Sequence, residues 1–291
     1  MGGRNQRWLG IAVCAGSSGK IVNRESLTRQ ADRPTGSYII AMKLSAQIYS
    51  LRNFGDLNAQ MMLLRNCGFD WVESVATHGL TPQAFADALA THGLKLSSMH
   101  ASLVQVETQR EMLVQACQLT GCPLVVMPYL PFGERPRSAA GWRAMGLRLA
   151  AVGRAFAQQG IHFGYHNHDF EFLSYDGRAA LRWLFDDTAS ADLGWQADIG
   201  WVSRAGASPA AWAERYGDRL VAIHTKDLAR EGEARDEDGW AAVGQGVIPW
   251  APLFALLRQH TELFVFEHDN PSDPAARLKD SLACMQRHLM A

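Results

Sequence analysis

From Met42 to the end of the chain, short apolar runs alternate with longer amphipathic stretches. The runs at 43–49, 69–75, 94–100, 122–127, 161–168, 193–199, 220–224 and 263–267 have the length and buried character of strands. Between them, 3.6-residue periodicity predicts helices at 56–67, 81–92, 107–120, 137–159, 177–185, 209–216, 250–260 and 274–289. Thr81-Pro82 reads as a helix N-cap followed by proline in the first turn, and Gly160 as a helix stop. Residues 226–246 read as a polar loop. Eight strand–helix units in about 250 residues predict one (β/α)₈ barrel, an α/β fold with a parallel sheet. An open doubly wound sheet is the alternative, but no Gly-x-Gly-x-x-Gly follows the first strand.

The first 41 residues break the pattern. Arg4, Arg7, Lys20, Arg24, Arg29 and Arg33 outnumber Glu25 and Asp32 there, amid frequent Gly, Ser, Asn and Gln. The expectation is an unstructured leader over 1–41, irregular before about Tyr38, and a barrel domain over 42–291. The apolar run Trp8–Ala15 is too short for a signal core and contains Cys14, which argues against export. Five scattered cysteines without a Cys-x-x-Cys pair fit reduced thiols and a cytoplasmic location. With 47% hydrophobic residues, 20% charged residues and a net charge of -1, the 291-residue chain shows no field drawing it to nucleic acid or membrane. Homo-oligomerisation is left open.

Ligand-type side chains gather where the strands end. They are Gln47, Glu73, His100, His166 with His168, Asp198, His224 and Glu267. In a barrel these are the positions that face the active-site mouth. His166 and His168, two apart in a strand, share a face. They suit a divalent metal or a proton relay, or else two rings satisfied by backbone carbonyls. A His/Asp/His/Glu set favours Mn²⁺, Co²⁺, Zn²⁺ or Fe²⁺ over Ca²⁺. Asp198 is a ligand, a helix cap or a partner of Arg204; Gln47 and Glu73 are substrate contacts or rim hydrogen bonds. Trp201 and Trp240 either wall a pocket or pack the core.

The motifs Tyr-His-Asn-His-Asp-Phe-Glu-Phe (165–172), Asp-Ile-Gly-Trp (198–201), Ile-His-Thr-Lys-Asp (223–227), Gly-Gln-Gly (244–246) and Phe-Glu-His-Asp (266–269) occur in this order. From Met42 onward the chain resembles the sugar phosphate isomerase/epimerase family of xylose-isomerase-like barrels. The resemblance implies one divalent metal held by His166, Asp198, His224 and Glu267, with His168 as the alternative first ligand. It also implies acid/base carboxylates at Glu171 and Glu267, and substrate contacts at His100, His168, Lys226, Gln47 and Glu73. The implied reaction is proton abstraction next to a carbonyl of a sugar, keto-sugar or inositol derivative, through an enediolate. The same abstraction with loss of a β-substituent gives a dehydratase, or a lyase acting on an inosose or 3-keto-glycoside. Phosphodiester cleavage of the endonuclease IV type and a non-catalytic sugar-binding barrel are the remaining alternatives.

Overall fold

Alternation at this spacing closes into a ring. In the computed structural model, which describes residues 42–290, eight parallel strands form a closed barrel. They are β1 (Lys43–Gln47), β2 (Trp71–Val75), β3 (Lys95–His100), β4 (Leu124–Met127), β5 (His162–His166), β6 (Gly194–Asp198), β7 (Leu220–Thr225) and β8 (Leu263–Phe266). Each strand pairs with its neighbours in sequence, and β8 returns to β1. The helices in chain order are α1 (Leu57–Asn66), α2 (Pro82–Thr91), α3 (Leu103–Thr108), α4 (Arg110–Thr120) and α5 (Ala139–Ala157). They continue with α6 (Ala180–Phe185), α7 (Ile199–Arg204), α8 (Pro209–Tyr216), α9 (Trp250–Leu257) and α10 (Pro274–Leu289). None of them is long and apolar enough to cross a membrane.

Side chains two apart along a strand lie on one face, and this sets both the packing and the site. Leu124, Val126, Ala222, Leu263 and Val265 form an apolar plug of their own, apart from the large core between strands and helices. Each buried Leu or Val contributes about 1.5–3 kcal/mol. The next inward position on β7 is His224, and on β8 it is Glu267, so the plug ends where polar chemistry begins. Two registers slip. Ser97 is extra in β3 opposite β2, and Val221 is extra in β7 opposite β6. Val221 then packs so close to Gly194 that a Cβ there would strike its Cγ1.

Four expectations change. The helix expected over 107–120 is two helices, because Ser102 and Gln105 form a capping box that starts α3 early. The helix expected from 177 begins at Ala180. Asp176 and Gly177, both at positive φ, instead turn a small hairpin pairing Ser174–Tyr175 with Arg178–Ala179. Helix α7 follows β6 with no loop, since Asp198 ends the strand and also accepts from the Trp201 N–H at 2.8 Å. The stretch expected as loop over 226–246 holds a two-stranded ladder, Asp227–Leu228 against Trp240–Ala241. The caps at Thr81 and Gly160 form as expected. The leader falls outside the described residues.

Candidate active site

Four successive strand ends converge. His166, Asp198, His224 and Glu267, all buried, place one ligand atom each within 4.8 Å of all the others. His166 Nε2 stands 3.8 Å from Asp198 Oδ2, and His224 Nδ1 lies 4.0 Å from that oxygen and 3.1 Å from Glu267 Oε2. Asp198 spends Oδ1 on capping α7, whereas its buried Oδ2 accepts no hydrogen bond among the described residues. The Lys226 ammonium stands 3.6 Å from it, beyond hydrogen-bond length, so the lone pairs of this buried oxygen stay open to a closer cation. That oxygen, the two imidazole nitrogens and the Glu267 carboxylate fit a borderline divalent ion such as Mn²⁺, Co²⁺, Zn²⁺ or Fe²⁺.

Below the cluster lies a buried polar layer centred on Glu73. Its Oε1 is 2.6 Å from His224 Nε2 and 2.9 Å from His100 Nε2, and it accepts from Gln47 Nε2 at 2.8 Å. Its Oε2 accepts from Ser98 Oγ and Gln196 Nε2, both at 2.5 Å. Burial pushes the Glu73 carboxyl upward, but His100 and His224 outweigh it and hold it well below the carboxylate range. Burial opposes charge on His224 too, yet Glu73 and Glu267 raise it to about 10. In the metal-free protein the ring is therefore an imidazolium between two carboxylates. Lys226, also buried, is 2.9 Å from both Glu267 Oε2 and Asp269 Oδ2. Burial raises Asp198 to about 6, against the pull of Lys226. Burial and neighbouring His224 hold His166 well below its usual range, so it is neutral.

Above the cluster opens a cavity of about 620 Å³ whose lining includes His100, His166, His168 and Glu267. A smaller cavity, about 340 Å³, lies at the strand starts by Lys43 and Trp71 and has none of these groups. Tyr49, Tyr129, Trp201 and Trp240 wall the larger one with aromatic surface, and Arg52, Arg204 and Asp238 add charge. Trp240 and Asp238 belong to the segment between β7 and α9, which is tied down at both ends. Asp227 accepts from the N–H groups of Leu228, Gly244, Gly246 and Ile248, which explains Gly-Gln-Gly: a Cβ at Gly246 would run into the Asp227 carboxylate. Further out, buried Glu237 accepts from the Ser272 N–H at 2.8 Å and from Arg277 Nε at 2.9 Å. Burial would raise Glu237, but Arg277 and Ser272 draw it down to about 2. Arg204 completes the wall, donating to the Asp238 carbonyl at 2.7 Å with its guanidinium 3.4 Å from the Trp240 ring centroid.

The expected residues divide into layers. His100 and His168 line the cavity, and Lys226 braces Glu267 from the side. Gln47 and Glu73, expected as substrate contacts or rim hydrogen bonds, are fully buried below, bonded to each other, and do not line the cavity. Glu171 also differs from expectation. A 3₁₀ turn at Phe170–Phe172 sends it inward behind His168, where Tyr165 Oη donates to Oε1 at 2.5 Å and the His168 N–H to Oε2 at 2.8 Å. Burial raises it to about 8. Trp201 and Trp240 both line the cavity, and Arg204 turns to Asp238 and Trp240, not to Asp198. Gln196 is the residue that sequence reasoning missed. It sits two before Asp198, and the strand period alone puts it on the same face.

No curated protein matches the sequence. A sugar phosphate isomerase/epimerase from Parabacteroides distasonis superposes with a TM-score of 0.68 at 18% identity, over 86% of this chain and 96% of that one. The 3-keto-D-glucoside 4-epimerase YcjR from E. coli gives 0.62 at 20% identity, over 84% and 99%. The IOLI protein, whose structure binds a zinc atom, gives 0.66 at 14% identity, over 85% and 98%. At these identities the likeness is one of fold. Residues 62–288 match the family described as xylose isomerase-like TIM barrel, and the chain belongs to that family.

Proposed function

We propose that this barrel is a divalent-metal-dependent isomerase or epimerase acting next to a carbonyl of a sugar, keto-sugar or inositol derivative. The observation that carries the reading is the convergence of His166, Asp198, His224 and Glu267 at the floor of a cavity large enough for such a substrate. A sugar phosphate isomerase/epimerase, a keto-glucoside epimerase and a zinc-binding protein on the same fold support it.

His166, Asp198, His224 and Glu267 would hold the ion, which when bound supplies a Lewis acid for the substrate carbonyl and its neighbouring hydroxyl. The chain's own residues do the remainder. Glu267 reaches the cavity, and its Oε1 accepts no hydrogen bond among the described residues. The proton is therefore taken there and delivered to the neighbouring carbon on the same face, which is isomerisation; epimerisation needs a second proton donor on the opposite face. Burial raises the Glu267 carboxyl, but Lys226 and His224 prevail and hold it well below its usual range, keeping it ionised as a base. Glu171, buried off the cavity, fixes the His168 backbone and thereby the ring on the wall. The aromatic walls present flat apolar faces that exclude water.

The test is metal content together with proton exchange. The purified protein, loaded with Mn²⁺, Co²⁺ or Zn²⁺, is incubated in D₂O with ketoses, inososes and 3-keto-glucosides and followed by NMR. Deuterium incorporation next to the carbonyl, lost on chelation, is the expected result. Failure to retain any of the three metals, or no exchange with any substrate class, overturns the reading.

A further inference from the structure

Glu73 is the hub of the buried layer. From β2 it bonds to Gln47 on β1, Ser98 and His100 on β3, Gln196 on β6 and His224 on β7. It does not line the cavity itself, yet both imidazole ligands lead back to it.

His224 leads back directly. Its Nε2 is 2.6 Å from Glu73 Oε1, a distance that requires the proton on Nε2. Nδ1, facing Asp198 and Glu267, is then the nitrogen left to bind a cation. His166 leads back through one side chain. Its Nδ1 lies 3.0 Å from Gln196 Oε1, so Nδ1 carries the proton and Nε2, facing Asp198, holds the lone pair. Gln196 can present Oε1 to His166 only while its amide nitrogen points the other way, and that nitrogen donates to Glu73 Oε2 at 2.5 Å. A turned amide would set NH₂ against the imidazole N–H. His100 reinforces the same orientation, with Nε2 2.7 Å from Gln196 Oε1.

Resting on the metal reading above, we infer that Glu73 is a positioning residue that sets which ring nitrogen of both histidine ligands faces the metal, His224 directly and His166 through the Gln196 amide. The two imidazoles use opposite nitrogens, Nδ1 of His224 and Nε2 of His166, and a single carboxylate specifies both. Carboxylates behind metal-bound histidines act through orientation and basicity, and their loss costs about 10–100-fold in metal affinity.

The experiment uses the full chain with Zn²⁺ and Co²⁺. In the Zn²⁺ protein, ¹⁵N ring shifts should report an N–H at Nε2 of His224 and at Nδ1 of His166; the opposite tautomer at either ring overturns the inference. Glu73→Gln keeps the shape, and should weaken Co²⁺ binding about 10–100-fold in a chelator competition and shift the visible Co²⁺ bands. Gln196→Leu cuts only the His166 branch, should lose less affinity, and serves if the first variant does not fold. Wild-type affinity and spectrum in either variant overturns the inference. Failure of the metal reading itself is distinguishable, since wild-type protein would then bind no Co²⁺, or His224→Ala would bind it unchanged.

Discussion

Nζ of Lys226 lies 2.9 Å from Oε2 of Glu267, the oxygen that also faces Nδ1 of His224 at 3.1 Å. The carboxylate following β8 therefore carries a protein-borne counter-cation. Burial would lower the Lys226 ammonium, but Glu267, Asp269 and Asp198 raise it far above its ordinary value. Lys226→Met leaves those carboxylates short of positive charge, and removing one partner of a buried pair costs about 3–5 kcal/mol. The chelated variant should melt well below wild type, and saturating Mn²⁺ should recover most of the difference. Equal losses with and without Mn²⁺ would mean that Lys226 matters through packing.

Asp198 divides its work between two oxygens, and one substitution separates them. Asp198→Asn retains an oxygen able to accept from the Trp201 N–H, so α7 keeps its cap. The amide removes the negative charge from the donor set. Metal affinity should fall by more than about 100-fold, beyond the range for groups behind the ligands, while the chelated protein melts near wild type. Calorimetric titration with Mn²⁺ and a thermal melt check both.

Glu171 makes stability depend on pH. Burial raises its carboxyl to about 8, whereas an unfolded glutamate titrates near about 4.3. Between those values the folded chain holds a proton that the unfolded chain releases, so its contribution is complete at acid pH and lost as pH rises toward 8. Glu171→Gln has no such proton. Denaturant titrations should show wild type losing stability relative to the variant between pH 5 and pH 8, and a gap constant with pH would contradict this. The variant should also retain proton exchange at a reduced rate, because Glu171 does not line the cavity.

Glu237 bears on the cavity without touching it. Glu237→Ala removes the acceptor for Ser272 and Arg277 and frees the segment that carries Asp238 and Trp240. KM should rise about tenfold, equivalent to one hydrogen bond to a charged group. Metal affinity should stay at the wild-type value. Steady-state kinetics beside a Co²⁺ titration tests the split.

Legibility in the sequence followed physical range. The eight strands were readable because burial on both faces writes continuous apolar runs, and the converging cluster of His166, Asp198, His224 and Glu267 because each member closes such a run. Helix α7 was hidden because Asp198 serves two elements at once, and the Asp176-Gly177 turn because the residues after it resume a helical pattern. The buried layer is the deeper miss. Glu73 and Gln196 lie 123 positions apart, and nothing local marks them as partners. Their meeting depends on closure of the barrel and on the one-residue slip at Ser97 that sets Glu73 opposite Ser98.

The four N–H groups gathered by Asp227 have a consequence for how such a protein diversifies. Leu228 leaves and Ile248 returns at the same carboxylate, so the excursion between them begins and ends at one fixed point beside β7. What lies between behaves as a cassette whose length and content can change while His224, three residues before Asp227, keeps its place. The cavity wall at Asp238 and Trp240 and the cluster around His224 are thus written on separately exchangeable pieces of chain.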